Sequence, residues 1–164
     1  MSDELPPCGL YRTTAAIGTV EAGRLVYFHN HGNPGAGVYF PDRWEHNRAH
    51  FSPKGVTLPT GYDTKTFKAL PREGFYRVAS TFVCCEKNCV TFEPDMLVQL
   101  GYNGNGVPLL FQPELRSGAI GVPERGTKID DSAMANLIAL NVREGKPKAD
   151  APQLGKFPRG IIVH

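Results

Sequence analysis

The sequence contains four cysteines whose number and spacing could allow them to bind a metal ion. Cys84, Cys85 and Cys89 lie within one short segment, and Cys8 is a fourth thiol far away in the chain. Thiolates are strong ligands for zinc and copper(I), so three could supply most of a tetrahedral shell and Cys8 could complete it. Adjacent cysteines on a strand point to opposite faces, however, unless a turn intervenes. The alternative interpretation is small apolar side chains at the end of a strand.

Four histidines form a second candidate set. His29 and His31 are two residues apart and share a face if they lie on a strand. His46 and His50 are four residues apart and share a face if residues 42–50 are helical. Neutral imidazole is a common ligand for zinc and copper, so a site forms here if the rings converge. The alternative interpretation is a group of exposed histidines beside turns.

Catalytic and redox chemistry have less support. A reactive cysteine needs a nearby base and a lowered pKa. Next to Cys85, Glu86 disfavours a thiolate and Lys87 favours one. The sequence contains no phosphate-binding loop, dinucleotide fingerprint, nucleophile elbow or zinc-protease motif. A redox protein in which two of the cysteines pair is a third hypothesis. The sequence therefore favours a protein that is not an enzyme.

Composition and charge exclude several classes of partner. The 164 residues include 18 Lys and Arg and 16 Asp and Glu, for a net charge of +2, so we expect neither nucleic acid nor a membrane surface as a partner. No apolar run approaches the roughly 20 residues of a membrane span. The acidic, polar start is unlike a signal peptide. We therefore expect a cytoplasmic protein whose thiols are reduced or bind metal.

An internal repeat indicates how the chain could position these side chains. The matches, in order, are GLYR at 9–12 with GFYR at 74–77, LV at 25–26 with LV at 97–98, and GN at 32–33 with GN at 104–105. Each copy predicts four or five short strands separated by Gly, Pro and Asn turns. The cysteine segment falls in a gap of the first copy, and the histidines have no counterparts in the second.

These patterns predict a mainly β fold in one compact domain. Two diverged copies, at 9–60 and 74–130, should pack about a pseudo-twofold, because one copy alone would bury too little surface. An apolar opening strand, a Gly/Pro turn and a strand ending in proline resemble small SH3-like barrels, at the level of fold alone. We also expect an N-terminal arm at 1–8, a short helix at 131–144 and an extended tail at 145–164.

The leading functional hypothesis is a non-enzymatic module that binds another protein or a peptide. It rests on the lack of catalytic motifs, on aromatic-rich strands and on the apolar stretch 161–163, which could dock on a partner. The alternative is a zinc- or copper-binding or thiol-redox protein that uses the cysteines or histidines described above. From the sequence, the two copies could form one barrel, two barrels or a sandwich.

Overall fold

The structure is a computed structural model that describes residues 4–32, 35–87 and 89–145. It is mainly β, as the sequence predicts, and all but the first residue of the predicted tail lies outside these ranges. In the part of the chain described, no helix has the length and apolar character needed to cross a membrane. The strands are β1 (Gly9–Thr13), β2 (Leu25–His29), β3 (Gly37–Glu45), β4 (Arg48–Thr57), β5 (Phe67–Ala69), β6 (Gly74–Val78), β7 (Phe82–Val83), β8 (Thr91–Phe92), β9 (Leu97–Tyr102), β10 (Pro108–Phe111), β11 (Glu114–Arg116), β12 (Ala119–Gly121), β13 (Thr127–Lys128) and β14 (Leu137–Ala139).

Ten of these strands form two five-stranded antiparallel sheets with the same strand order. The first sheet runs β4-β3-β2-β1-β5 and the second runs β13-β10-β9-β6-β14. In each sheet the first four strands pair in chain order, and the fifth strand pairs with the first at the opposite edge. Two short hairpins, β7–β8 and β11–β12, stand apart from the sheets.

Both sheets are open, whereas the sequence predicts barrel-type units. Within the described residues, the edge strands of each sheet are not hydrogen-bonded to each other. In the first sheet, irregular pairing between Tyr39 and Arg43 interrupts the β3–β4 ladder. Irregularities of this kind bend a hairpin and increase its twist, and β4 contacts β9 of the second sheet.

The strands pair in corresponding registers in the two sheets. The first sheet pairs Gly9 with Phe28, Tyr11 with Val26, Phe28 with Val38 and Tyr11 with Ala69, and the second pairs Gly74 with Leu100, Tyr76 with Val98, Leu100 with Leu110 and Tyr76 with Ala139. Residues of the repeated GLYR and LV motifs therefore occupy the same places in their sheets. A short 3-10 helix also precedes the last strand of each sheet, at Thr64–Thr66 and Asp131–Asn136.

A buried tyrosine in each repeated motif secures the start of its sheet. The hydroxyl of Tyr11 donates to the carbonyl of Pro7 at 2.7 Å, and that of Tyr76 donates to the carbonyl of Arg72 at 2.6 Å. A buried hydroxyl needs such an acceptor because desolvating it without one is costly. Both tyrosines of the repeated motif therefore have the same structural role in their sheets.

The two sheets share a hydrophobic core. The larger cluster is centred on the second sheet, but it also contains Leu25 and Leu70 from the first half of the chain, and Phe51 of β4 packs against it. A smaller cluster, which includes Phe28 and Val38, consists of residues from the first half of the chain. Burial of first-sheet side chains in the larger cluster joins the halves through the hydrophobic effect.

The tip of the β3–β4 hairpin reaches the second sheet, so residues 42–50 do not form the helix that would have placed His46 and His50 on one face. His46 and Asn47 form the turn with φ of 52° and 64°, and two positive φ values are what a type I′ hairpin turn requires. The Asn47 amide donates to Gln99 Oε1 at 3.0 Å and to the Pro123 carbonyl at 2.9 Å. Gln99 donates in return to the His46 carbonyl at 3.0 Å. These bonds favour a hairpin over a helical turn.

An ion pair links the sheets at a second place. Arg12 of β1 makes two hydrogen bonds of 2.7 Å to the carboxylate of Asp131, in the 3-10 helix before β14, and Lys68 of β5 also contacts that carboxylate. Hydrogen bonding from Arg12, and then from Lys68, lowers the pKa of Asp131 from 3.8 to about 2. The carboxylate is therefore charged whenever the protein is folded near neutral pH.

The predicted helix at 131–144 is present only over its first six residues. They form the 3-10 helix Asp131–Asn136, and Leu137–Ala139 then forms β14 on the edge of β6. Asp130 precedes the helix but makes no side-chain capping bond. The exposed backbone groups of β6 offer the chain ladder hydrogen bonds at this point, and an uncapped amphipathic segment gains more from them than from another helical turn.

Candidate metal centre

Cys8 lies beside His29 and His31 at one end of the first sheet. Antiparallel pairing of Gly9 with Phe28 sets Cys8 opposite His29, the last residue of β2. The Cys8 sulfur is 3.7 Å from Nδ1 of His29 and 3.8 Å from Nδ1 of His31. The two imidazole rings are 4.5 Å apart, centroid to centroid, and nearly perpendicular at 88°. One thiol and two imidazoles therefore converge from separate segments.

The distances between these donor atoms suit a bound metal ion. Around tetrahedral zinc, bond lengths of about 2.3 Å to sulfur and 2.0–2.1 Å to nitrogen set those ligand atoms about 3.6 Å apart. The sulfur of Cys8 lies 3.7 and 3.8 Å from its two nitrogen neighbours, close to that separation. All three donors also fall within 4.8 Å of one another. Small side-chain movements would bring them to a common ion.

Asn30 holds the sulfur and adds an oxygen to this group. Its backbone N–H donates to the Cys8 sulfur at 3.3 Å, and its side-chain Nδ2 donates to the Pro6 carbonyl at 3.3 Å. The second bond turns Oδ1 toward the cluster, where it lies 2.9 Å from Nδ1 of His31 and 3.3 Å from the sulfur. Asn30 thus both orients the thiol and offers a weak oxygen donor.

The cluster is partly shielded from water. Cys8 and His29 are half-buried and His31 is exposed. Tyr27 and Tyr39 lie edge-on to the His29 ring, with centroids 5.7 and 6.1 Å away, and restrict how that ring can turn. An ion would approach from the His31 side, where water can also complete its coordination.

His46 and His50 do not belong to the cluster of Cys8, His29 and His31. Among the residues the structure describes, neither belongs to a cluster of three metal-ligating groups. His46 lies in the hairpin turn against the second sheet, and Nε2 of His50 is 3.6 Å from a carboxylate oxygen of Glu45. The structure has a hairpin at the place where a helix would have set these two rings on one face.

The other three cysteines meet at the tip of the β7–β8 hairpin. The Cys84 backbone N–H donates to the Val90 carbonyl at 2.9 Å, just beyond the paired strands. A turn follows Val83, so the thiols of Cys84 and Cys85 lie on one side, with sulfurs 3.5 Å apart. The sulfur of Cys89 completes a group of three within 4.8 Å. Cys8 is not part of this group, because it lies beside His29 and His31.

The Cys84 and Cys85 thiols differ in acidity. Burial alone would raise the pKa of Cys84, but the 3.3 Å hydrogen bond from the Val90 N–H, together with one from Cys85, holds that pKa below its usual value. A backbone hydrogen bond from Lys87 lowers the pKa of Cys85, but the shared hydrogen bond with Cys84 and partial burial outweigh it and raise the pKa. Cys84 is therefore the first of the pair to lose its proton.

A cleft of about 560 Å³ begins at Cys8. Its walls include Tyr27 and Phe51 from the first sheet and the side chains of Arg48 and Glu73. Glu73 accepts a hydrogen bond of 3.0 Å from the Ala49 backbone N–H, and burial raises the pKa of this carboxyl. The cleft gives the thiol one solvent-accessible side.

Sequence reasoning named Cys8, His29 and His31 but assigned them to different sets. The missing signal was the register of β1 on β2, which joins residues 21 positions apart. The repeated GLYR and LV motifs mark both strands, and antiparallel pairing of the two would have suggested the contact.

No family model, curated protein or solved structure matches this chain.

Proposed function

We propose that this protein binds a transition metal ion, with zinc as the best fit, through Cys8, His29 and His31. The observation that carries the proposal is the pair of distances from the Cys8 sulfur to the two Nδ1 atoms, 3.7 and 3.8 Å. They approach the sulfur–nitrogen separation of about 3.6 Å that tetrahedral zinc requires. One thiolate and two imidazoles are ligands that both zinc and copper accept.

The β1–β2 ladder supports this function because it orders the ligands before a metal arrives. Cys8 is fixed by the N–H of Asn30, and His29 is the last residue of a paired strand. Binding an ion to ligands that are already ordered costs little conformational entropy. The fourth coordination position would be filled by water or by Oδ1 of Asn30.

A cobalt(II) titration under reducing conditions tests the proposal. Cobalt(II) reports zinc-type sites, since sulfur-to-cobalt absorption grows with the number of thiolates bound. The background is the chain carrying Cys85→Ser and Cys89→Ser, which dismantles the other thiol cluster. We expect one cobalt per chain with a one-thiolate spectrum, displaced by stoichiometric zinc.

Single substitutions locate that ion. Cys8→Ser, His29→Ala and His31→Ala should each weaken zinc binding by more than about 100-fold, since loss of a ligand exceeds the 10–100-fold effect of its supporting groups. His50→Ala is the matched control, being a histidine outside the cluster, and should bind as the parent does. Equal affinity in the Cys8→Ser and His50→Ala chains would refute the site.

Binding of another protein is a second candidate function, and the β11–β12 hairpin supports it. Leu115 and Ile120 face each other across that hairpin and are 79% and 63% exposed. Exposed aliphatic pairs of this kind, beside a groove of about 240 Å³ that Met96 and Pro113 help to line, are typical of surfaces that dock an apolar side chain. A photo-crosslinker at position 120 should capture one partner, and Leu115→Asp should abolish that capture. Val142→Asp is the matched control at an exposed position elsewhere.

We also propose that the two sheets arose by duplication of one SH3-like unit related by a pseudo-twofold. The common strand order, the corresponding registers and the 3-10 helix before each final strand support it. A duplicated residue should keep the same energetic role in both halves, and the paired tyrosine substitutions in the Discussion test that expectation.

A further inference from the structure

We infer that Cys84, Cys85 and Cys89 form a second, independent metal site, which takes copper(I) as a three-coordinate thiolate complex. The site lies at the tip of the β7–β8 hairpin and shares no ligand with the Cys8 centre. It therefore goes beyond the proposed function and stands or falls separately from it.

The separations of the sulfurs carry the inference. The Cys84 and Cys85 sulfurs are 3.5 Å apart, and all three lie within 4.8 Å of one another. With metal–sulfur bonds of about 2.3 Å, three sulfurs around one ion stand about 3.8–4.0 Å apart. The observed group needs only a small adjustment to reach that triangle.

The donor set selects the ion. In the part of the chain described, no further His, Cys, Asp or Glu joins this group, so it offers sulfur only and three ligands. Three soft thiolates with no nitrogen or oxygen donor beside them suit three-coordinate copper(I), whereas the Cys8 group has nitrogen donors and can complete a zinc shell with water or Oδ1 of Asn30. The mixed donors at Cys8 favour zinc, so the two sites would sort the two metals.

The surroundings of the three thiols suit a monovalent ion at the edge of a core. Cys84 is buried, Cys85 is half-buried and Cys89 is exposed, which gives the ion a path from solvent to an apolar floor. Phe82 and Phe92 stack at 4.9 Å in the hairpin that carries the site, and Phe82, Phe92 and Cys84 belong to one buried cluster. An apolar floor disfavours strongly hydrated divalent ions such as Mg²⁺.

Proton release follows from the stoichiometry. Three neutral thiols and one copper(I) ion give one tris-thiolate complex of net charge −2 and three protons, with no change of oxidation state. The hydrogen bond from the Val90 N–H to the Cys84 sulfur helps to hold the charge.

The test is an anaerobic titration of the reduced chain with copper(I), supplied as its acetonitrile complex, against a chromophoric copper(I) chelator. We expect one tightly held copper(I) per chain. Cys89→Ser should weaken it by more than about 100-fold, and circular dichroism should show an unchanged fold because Cys89 is exposed. Cys85→Ser should act in the same direction.

Cys8→Ser is the matched control and should bind copper(I) as tightly as the parent. Loss of copper(I) in Cys8→Ser with retention in Cys89→Ser would overturn the inference while leaving the Cys8 centre intact. Preferential binding of zinc over copper(I) by the Cys8→Ser chain would overturn it as well, and so would a chain that binds no copper(I) and forms a disulfide among these thiols instead.

Discussion

The end of the first sheet that carries Cys8, His29 and His31 has a counterpart in the second sheet with none of those residues. The registers that pair Gly9 with Phe28 and Gly74 with Leu100 define the correspondence, and it matches Cys8 with Glu73, His29 with Gly101 and His31 with Asn103. Both ends are built from corresponding strands in the same order. They differ in whether the end is open to solvent or covered.

Gly101 explains that difference. A Cβ at this position would lie 2.6 Å from the backbone oxygen of Asn47, at the tip of the hairpin from the first sheet. Any side chain larger than hydrogen would push that hairpin away. The second sheet therefore uses this end to bind the first sheet, and the first sheet, whose end is open, keeps a cysteine and two histidines there.

The loop between the first two strands of each sheet also differs, and here the second half of the chain carries the additional residues. Residues 14–24 of the first half form a connection with a single bridge between Ile17 and Val20. Residues 79–96 of the second half are longer and include the β7–β8 hairpin with its three cysteines. Residues common to both halves thus stabilise the sheets, and the candidate sites lie where the halves differ.

The largest expected effect comes from placing a histidine at the position of the second sheet that corresponds to His29. Gly101→His should lower the free energy of unfolding by about 3 kcal/mol or more, because the clash is with backbone and cannot be relieved by a side-chain movement. Urea denaturation measures the loss. Gly145→His is the matched control, since no atom lies within 4 Å of its Cβ position, and a similar loss there would contradict the explanation.

Acid should weaken the link between the sheets. The folded-state pKa of Asp131 is about 2, below its usual 3.8, so the stabilisation is complete above about pH 5 and is lost as the pH falls through 3.8 toward 2. The gap corresponds to about 2 kcal/mol. The free energy of unfolding, measured at pH 6 and pH 2.5, should fall less in Asp131→Asn than in the parent. An equal fall in both chains would exclude this carboxylate as the cause.

The arginine of the repeated motif should matter in one sheet only. Arg12 bonds the partly buried Asp131, whereas Arg77 contacts Asp95, whose side chain is 79% exposed. Arg12→Ala should cost about 1.5 kcal/mol and Arg77→Ala less than about 0.5 kcal/mol, because exposed ion pairs contribute little. Thermal unfolding of the two variants side by side gives the difference. Equal costs would mean that the Asp131 contact does not hold the sheets together.

The tyrosines should instead behave alike. Tyr11→Phe and Tyr76→Phe each remove one hydroxyl bonded to the carbonyl four residues earlier, at 2.7 and 2.6 Å. Each should cost about 1 kcal/mol, the usual net value of one hydrogen bond. Costs that agree within the error of denaturant titration would support a common structural role. A clear inequality would count against the duplication proposed above.

Local patterns in the sequence predicted the mainly β fold and the strands of the repeated motifs. The alternation of apolar and polar residues and the turn residues act over only a few positions. The helix over 42–50 that would have placed His46 and His50 on one face does not form, because the Asn47 side chain bonds Gln99 and Pro123, which lie far away in the sequence. The prediction of a helix at 131–144 was wrong beyond Asn136, because the residues that follow pair with the edge of β6 as a strand. Tertiary contacts decided both cases against local preference.

The candidate sites follow the same rule. The residue types at Cys8, His29 and His31 were evident, but their grouping depended on strand register. Cys84 and Cys85 lie on the same side because a turn follows Val83. On a continued strand the two side chains would point to opposite faces. Residue type is local information, whereas the sharing of a ligand shell is a property of the assembled fold.

The reach of the β3–β4 hairpin also bears on the order of folding. Asn47 bonds groups 52 and 76 positions later in the chain, and Arg12 bonds a carboxylate 119 positions later. During synthesis the first sheet emerges long before these partners exist, so its hairpin tip stays solvated until the second half follows. Contacts of such long sequence separation slow folding, because the intervening chain must be closed first. We therefore expect docking of the two halves to be the late step, and the finished protein to unfold in one cooperative transition.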